Sequence, residues 1–163
     1  MGAGKTTIGR QLARRMGMDF FDSDREIERV AGVDVAMIFE FEGEAGFRKR
    51  ERRAIKELAR KHGIVAATGG GAVLAEENRL CLTRSGTVIY LDTGVEEQLR
   101  RTRHDKKRPL LDTPDPRQAL LDLAELRNPL YQSIADIRIS TEGRNARSVI
   151  QFLTKELQSL RAV

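Results

Sequence analysis

The first residues of the chain have the types and spacing of a phosphate-binding loop. The chain begins Met-Gly-Ala-Gly-Lys-Thr-Thr, and Gly4, Lys5 and Thr6 match the last three positions of the pattern G-x-x-x-x-G-K-[ST]. Glycines let backbone N–H groups wrap closely around an anion, and the positive end of the following helix points at the same group. We therefore predict that Lys5 reaches the β- and γ-phosphates of a nucleotide and that the Thr6 hydroxyl ligates Mg²⁺.

The loop pattern is incomplete at its start. Its first glycine, and the hydrophobic strand that normally precedes it, would lie upstream of Met1. The chain as given is therefore expected to lack this glycine and this strand, and its ability to bind a nucleotide depends on whether they are needed. The alternative interpretation of this segment is a flexible, basic N-terminus without a binding role.

Two carboxylates, Asp22 and Asp24, follow a short strand-like run that ends at Phe21. The ends of strands are where α/β sheets place their ligands. Two carboxylates at this spacing could have different roles, one binding Mg²⁺ and the other contacting a substrate hydroxyl. The alternative is structural, with Ser23 or Asp24 capping a helix that has an acidic first turn.

Three consecutive glycines, Gly69, Gly70 and Gly71, follow another strand-like run. A tight turn needs one or two glycines, and a further one costs chain entropy on folding. We predict that the backbone here lets a ligand approach its N–H groups closely. The alternative is a turn of generous length.

Basic residues in the second half of the chain suit phosphate and carboxylate ligands. Residues 104–116 form a basic, proline-rich loop, which suits either a lid that closes over a transferring phosphoryl group or a solvated surface loop. The spacing of Arg127 places it on the apolar face of a helix, where a guanidinium needs an anion. That anion is either a substrate carboxylate or an internal Asp or Glu. Arg48 is a weaker candidate because it is one of several basic residues on one helix.

Composition limits the class of protein. The 163 residues suit a single domain, and a net charge of +5 with 5% aromatic residues and no Trp favours a basic cleft for small anions over a nucleic-acid surface. Because the sequence has no run of about 18 apolar residues and no segment of signal-peptide type, we expect no membrane contact. The one cysteine, Cys81, suits a reducing cytoplasm, and neither histidine has companions for a zinc site.

Helical and strand-like patterns alternate along the chain, which is typical of an α/β protein with a parallel sheet. Strands are predicted at 18–21, 63–68, 87–91 and 136–140, and helices up to residue 16 and at 23–30, 35–41, 44–61, 95–103, 116–134 and 146–160. The runs at 63–68 and 87–91 are almost continuously apolar, as strands buried on both faces require. Four strands are visible where the phosphate-binding loop implies a fifth.

Together these motifs resemble shikimate kinase over the whole chain. The residues that carry the resemblance are Gly2-Ala3-Gly4-Lys5-Thr6-Thr7, Asp22-Ser23-Asp24, Gly46-Phe47-Arg48-Lys49-Arg50-Glu51, Thr68-Gly69-Gly70-Gly71, Lys107-Arg108-Pro109-Leu110-Leu111 and Arg127-Asn128-Pro129-Leu130-Tyr131. A phosphate-binding loop alone is shared by many unrelated proteins, whereas the ordered set of six is specific.

The resemblance implies a three-layer P-loop kinase fold with a central parallel sheet and a single domain over residues 1–163. Within it, residues 24–61 would form a helical substrate-binding subdomain and residues 104–116 a mobile lid. The implied reaction is phosphorylation of the 3-hydroxyl of shikimate by Mg-ATP, on the route to chorismate and the aromatic amino acids. The implied form is a cytoplasmic monomer with no nucleic-acid or membrane partner.

The resemblance also assigns roles to residues. It makes Lys5, Asp24 and Arg108 catalytic, with Asp24 receiving the proton of the substrate hydroxyl. It implies that Thr6 ligates Mg²⁺ directly and that Asp22 contacts the ion through a water molecule. The shikimate site would comprise Asp24, Arg48, Gly69, Gly70, Gly71 and Arg127, with the two arginines on the carboxylate. Nucleotide contacts would come from Gly2, Ala3, Gly4, Lys5, Thr6, Thr7, Arg108 and Arg144.

Three alternatives stay open. A P-loop kinase of the gluconate kinase type would also act on a carboxylated acceptor. An inactive, N-terminally truncated fragment would follow from the missing strand, because each lost apolar side chain forfeits about 1.5–3 kcal/mol. The total stability of a domain is only about 5–15 kcal/mol. A nucleic-acid-binding protein is disfavoured by the scarcity of aromatic residues.

Overall fold

The computed structural model describes residues 2–102 and 113–161. In chain order the elements are α1 (Lys5–Met16), β1 (Asp19–Asp22), α2 (Ser23–Ala31), α3 (Val35–Leu58), β2 (Ile64–Ala67), the 3₁₀-helix η1 (Ala72–Leu74), α4 (Glu76–Ser85), β3 (Ile89–Asp92), α5 (Val95–Thr102), α6 (Pro116–Ile134), β4 (Ile137–Ser140) and α7 (Ala146–Arg161). Helices therefore dominate an α/β chain, and every strand falls where the sequence predicts one.

The strands pair in parallel, as the alternating pattern predicts. β1 pairs with β2, with Asp19 opposite Ile64 and Asp22 opposite Ala67. β3 pairs with β4 in the same way, and the residues described form two separate two-stranded sheets. The expectation that the runs at 63–68 and 87–91 are buried on both faces is wrong, because Ala66 is exposed, only Ala67 of β2 is buried, and every residue of β3 is partly exposed. With a single neighbour, β2 keeps one edge and part of its surface open.

The main core lies where α1 and α7 pack on the β3–β4 sheet. Its buried members are Ile8, Leu12, Ile137, Ile139, Val149, Ile150 and Leu153. α1 also contacts β1 and β2, so this one helix touches both sheets. It begins after Gly4, whose φ of 82° is a left-handed conformation that glycine adopts without steric cost. The start of α1 is therefore fixed between the two sheets.

A smaller core joins α2 to α3. Its buried members are Ile27, Ile38 and Phe47. Asp34 caps α3 by accepting a hydrogen bond from the Met37 N–H at 2.9 Å. α3 bends at Gly43, whose φ is 67°, and this confirms the predicted break between helices on either side of that glycine. The sequence reasoning missed η1 and α4, which follow the three glycines.

No helix within residues 2–102 and 113–161 is long and apolar enough to cross a membrane.

Candidate active site

The carboxyl end of β1 meets the start of α1. The Thr6 hydroxyl donates a 2.9 Å hydrogen bond to Asp22 Oδ2, although the two residues are 16 positions apart. The other oxygen of Asp22 accepts the Asp24 backbone N–H at 3.1 Å and caps α2. Asp22, rather than the predicted Ser23 or Asp24, is therefore the capping residue. The capping and metal-binding interpretations of Asp22 are compatible because each uses a different oxygen.

The Thr6 and Asp22 oxygens fit an Mg²⁺ site. Mg²⁺ prefers oxygen ligands, keeps several waters and is commonly held by one or two carboxylates together with substrate phosphates. A hydroxyl beside a carboxylate at the start of a phosphate-binding loop is such a donor set. No cluster of three or more His, Cys, Asp or Glu side chains suited to a metal occurs within residues 2–102 and 113–161. The residues present therefore fit a cation shared with a phosphate ligand rather than one enclosed by protein.

The predicted nucleotide residues lie around the start of α1. Gly2 has a φ of 65°, Ala3 is buried and Lys5 is the first residue of the helix. The carbonyl of Gly2 accepts a 3.0 Å hydrogen bond from Arg101 Nη1 on α5, a contact that sequence reasoning missed. Arg101 Nη1 also lies 3.4 Å from Thr141 Oγ1, at the end of β4. α5 and the end of β4 thus adjoin the loop.

Arg144 is exposed in the turn after Thr141, to whose carbonyl its backbone N–H donates at 3.3 Å. Its predicted nucleotide contact stays a prediction. Arg108, and residues 104–112 of the predicted lid, lie outside the described residues.

The three glycines pack against charged side chains. A Cβ atom at Gly69 would lie 2.9 Å from carboxylate oxygens of both Asp24 and Glu51, and one at Gly71 would lie 2.2 Å from Arg48 Nη1. The Gly69 N–H donates to the fully buried Ser23 Oγ at 3.0 Å. A side chain at either position would therefore displace the charged groups that pack against it. Ligand access to the N–H groups, the role predicted for them, stays a prediction.

Arg48 is held by two carboxylates of very different exposure. Its Nη1 donates to Glu51 Oε2 at 2.8 Å, and its Nη2 donates to Glu44 Oε1 at 2.9 Å. The Glu51 side chain is 1% exposed, whereas that of Glu44 is 52% exposed. Burial raises the pKa of Glu51, the nearby Asp24 raises it further, and Arg48 acts in the opposite direction. Glu51 is therefore the partner that fixes Arg48 beside the turn formed by Gly69, Gly70 and Gly71, which we call the glycine turn.

Arg127 and Tyr131 reach the same turn from α6. Arg127 is 4% exposed and has no carboxylate oxygen within ion-pair distance among the residues that the structure describes, although its charge lowers the pKa of the buried Glu51. Its Nε has no hydrogen-bond partner in that part of the chain. One turn later, the Tyr131 hydroxyl donates to the Gly70 carbonyl, and burial raises the pKa of Tyr131. A buried guanidinium with an unused donor is suited to an anionic ligand.

Sequence reasoning assigned no role to Glu51, Arg101 or Tyr131. Glu51 lies three residues after Arg48, so the ion pair between them could have been predicted from their i,i+3 spacing on a helix. For Arg101 and Tyr131 no local signal was available, because their partners Gly2 and Gly70 are far away in the sequence.

Comparison with known proteins gives a consistent result. A family model described as shikimate kinase matches residues 1–158. A shikimate kinase of Pasteurella multocida (strain Pm70) is 61% identical over 148 residues, which cover 90% of this chain and 85% of that protein. One of Histophilus somni (strain 2336) is 54% identical over 162 residues, with coverages of 99% and 93%. A solved shikimate kinase from Acinetobacter baumannii in complex with shikimate matches with a TM-score of 0.95 and 48% identity, over 98% of this chain and 89% of that one.

Proposed function

The chain belongs to the shikimate kinase family, and on that premise we propose that it transfers the γ-phosphoryl group of ATP to the 3-hydroxyl of shikimate. The products are ADP and 3-phosphoshikimate. The observation that carries the proposal is the buried guanidinium of Arg127. Its Nε lacks a hydrogen-bond partner among the described residues, and it lies near the glycine turn, against which Arg48 packs. This observation supports a carboxylate-binding role for Arg127 near Asp22 and Asp24 and hence near the phosphate-binding loop.

The phosphate side of the site is formed by α1 and the end of β1. Lys5 contacts the β- and γ-phosphates, and the backbone of residues 2–7 surrounds them. Thr6 and Asp22 would hold Mg²⁺, which when bound neutralises charge on the phosphates. Arg108 is proposed to contact the transferring phosphoryl group and Arg144 the nucleotide base.

The acceptor side is formed by α2, α3, α6 and the glycine turn. Arg48 and Arg127 bind the shikimate carboxylate, because a guanidinium can donate two parallel hydrogen bonds to a carboxylate. Gly69, Gly70 and Gly71 line the pocket. Asp24 accepts the proton of the attacking hydroxyl, a role that general-base carboxylates fill in phosphoryl transfer. Residues 24–61 act as the substrate-binding subdomain and residues 104–116 as the lid.

We further propose a monomer that acts in the cytoplasm. The single cysteine suits a reducing compartment. Size-exclusion chromatography with light scattering tests the oligomeric state.

The test is ADP release by the purified chain with Mg-ATP and either shikimate, gluconate or no acceptor. The proposal predicts release that depends on shikimate, and a loss of about 10²- to 10⁴-fold in kcat in Asp24→Asn. Faster release with gluconate would assign the chain to the other kinase type. If neither acceptor produces ADP, the melting curve with and without Mg-ADP identifies an inactive fragment by the absence of any ligand shift. Either result overturns the proposal.

A further inference from the structure

A groove between α1 and α7 adjoins the candidate active site and shares Thr7 with the phosphate-binding loop. Its larger cavity has a volume of about 880 Å³, and an adjoining cavity of about 420 Å³ shares Arg15 and Gln151 with it. Thr7, Gln11 and Ile150 also line the larger cavity. The two helices pack through Ile8, Leu12, Val149 and Leu153, so the groove opens on the side of this contact that faces solvent.

The charge of this groove is positive throughout. Arg10, Arg14 and Arg15 line it from α1, and Arg147 and Lys155 line it from α7. Neither cavity is lined by any Asp or Glu that the structure describes. Elsewhere nine described arginines form ion pairs within 4 Å. The four groove arginines form none with the residues described.

α1 carries three arginines and no carboxylate, although Arg14 and Arg15 lie in its last turn, where positive charge interacts favourably with the helix dipole. Its residues are KTTIGRQLARRM, with no acidic side chain in the 12 positions. Arg10 and Arg14 are four residues apart on one face, and like charges at this spacing repel each other. The charged helices α2, α3 and α5 instead place Glu and Arg at i,i+3 or i,i+4.

We propose that the α1–α7 groove binds a small anion that carries two or more phosphate groups. Guanidinium groups bind phosphate through paired hydrogen bonds, and Thr7, Gln11 and Gln151 add neutral donors. The volume of the groove lies in the range of small-molecule sites, roughly 300–1,000 Å³. Among the residues that the structure describes, Phe152 of the adjoining cavity is the one aromatic side chain lining the groove, which offers little stacking surface for a single-stranded nucleic acid.

The groove is linked to the phosphate-binding loop through α1. Thr7 lines the groove and belongs to the first turn of α1, next to Lys5 and Thr6. Any coupling between the two sites is reciprocal, so that each ligand changes the affinity for the other by the same factor. Binding in the groove itself does not depend on the identity of the acceptor substrate.

Isothermal titration calorimetry with fructose 1,6-bisphosphate tests the proposal. A saturating, non-hydrolysable ATP analogue with Mg²⁺ is present so that the phosphate-binding loop is occupied, and the ionic strength is physiological. We expect one saturable site in the full chain, weakened at least about tenfold by the double substitution Arg14→Glu with Arg147→Glu. The control is Arg53→Glu with Arg84→Glu, which changes net charge equally at two exposed arginines outside the groove. This control should bind like the original chain.

Three results overturn the proposal. They are the absence of saturable binding by the original chain, an equal loss of affinity in both double variants, and binding that occurs only when the ATP analogue is left out. Circular dichroism and melting curves check that each variant folds. If the charge-reversed variant does not fold, Arg14→Gln with Arg147→Gln carries the same test, with a smaller expected loss.

Discussion

At the scale of single residues, the site depends on how Arg48 is held. This guanidinium bonds to the buried Glu51 and to the exposed Glu44, at nearly equal distances. The two bonds are not equivalent, because an exposed ion pair contributes about 0–1 kcal/mol. A buried pair is costly to break, since the remaining charge then lacks a partner. The orientation of Arg48 therefore depends mainly on Glu51.

Glu51→Gln and Glu44→Gln separate the two contacts. We expect Glu51→Gln to raise the KM for shikimate about tenfold with little change in kcat, since about 1.4 kcal/mol of binding is lost when Arg48 is misplaced. We expect Glu44→Gln to change KM less than about threefold, as an exposed partner should. Steady-state kinetics at saturating Mg-ATP measures both. Equal effects of the two substitutions would show that burial does not distinguish these carboxylates.

The raised pKa of Glu51 also predicts a pH dependence. Burial raises this pKa, so the folded chain holds the proton at pH values where the unfolded chain has lost it. The contribution of this group to stability is thus fully present below the unfolded pKa and is lost as pH rises through the folded pKa. Protonated Glu51 pairs poorly with Arg48. We therefore expect the KM for shikimate to rise on the acid side of the folded pKa, and this rise to be absent from the profile of Glu51→Gln.

The sequence could identify which residue types the site needs but not every residue that serves it. The loop at Gly4, Lys5 and Thr6 and the carboxylate at Asp22 follow local patterns, and the Thr6–Asp22 hydrogen bond brings them together. Glu51 could not be separated from its charged neighbours on α3, because its burial comes from the glycine turn, which is distant in sequence.

At the scale of elements, the glycine turn after β2 brings α2, α3 and α6 to one place. A Cβ at Gly71 would overlap the Arg48 guanidinium, whereas the backbone φ of −86° at this position is accessible to alanine. We expect Gly71→Ala to displace Arg48 and to raise the KM for shikimate about tenfold. The melting temperature should change by less than about 4 °C, since the flexible side chain can move.

Gly86→Ala is the matched control for that substitution. Gly86 has extended backbone geometry, and a Cβ there meets nothing within 4 Å. Its KM should equal that of the original chain. An unchanged KM in Gly71→Ala would show that the space beside Gly71 does not control Arg48.

α6 supports the turn through Tyr131. Its hydroxyl donates to Gly70, and its ring stacks on Tyr90 at a centroid distance of 5.0 Å. We expect Tyr131→Phe to lower stability by about 1 kcal/mol and to raise the KM for shikimate, because one hydrogen bond to the turn is lost. The control is Tyr90→Phe, whose hydroxyl lies 3.2 Å from Asp92 and Asn128 and does not reach the turn. Thermal melting and kinetics on both variants measure the difference, and a KM effect of equal size in Tyr90→Phe would contradict a specific role of Tyr131.

At the scale of the whole molecule, the order of the strands could be predicted, but α4 and the extent of burial could not. Apolar runs identified β2 and β3, because a strand is a local pattern. How much of a strand is buried depends on its neighbours, and each strand described has only one. α4 was missed because its sequence EENRLCLTRS has little helical periodicity. It is placed instead by contacts such as that of the buried Asn78, which donates to the Ala72 carbonyl at 2.9 Å.

The separation of the two sheets leads to the last prediction. α1 packs on both sheets, so a strand that leads into Gly2 would lie between them and could pair with an open edge of each. We expect that an added N-terminal strand of about six β-forming residues raises the melting temperature by about 5–10 °C. The reason is that two or three newly buried side chains contribute about 1.5–3 kcal/mol each. The control extension has the same length but alternates proline with polar residues, and proline cannot donate to the ladder. Equal melting temperatures for the two extended chains would mean that the open edges do not limit stability.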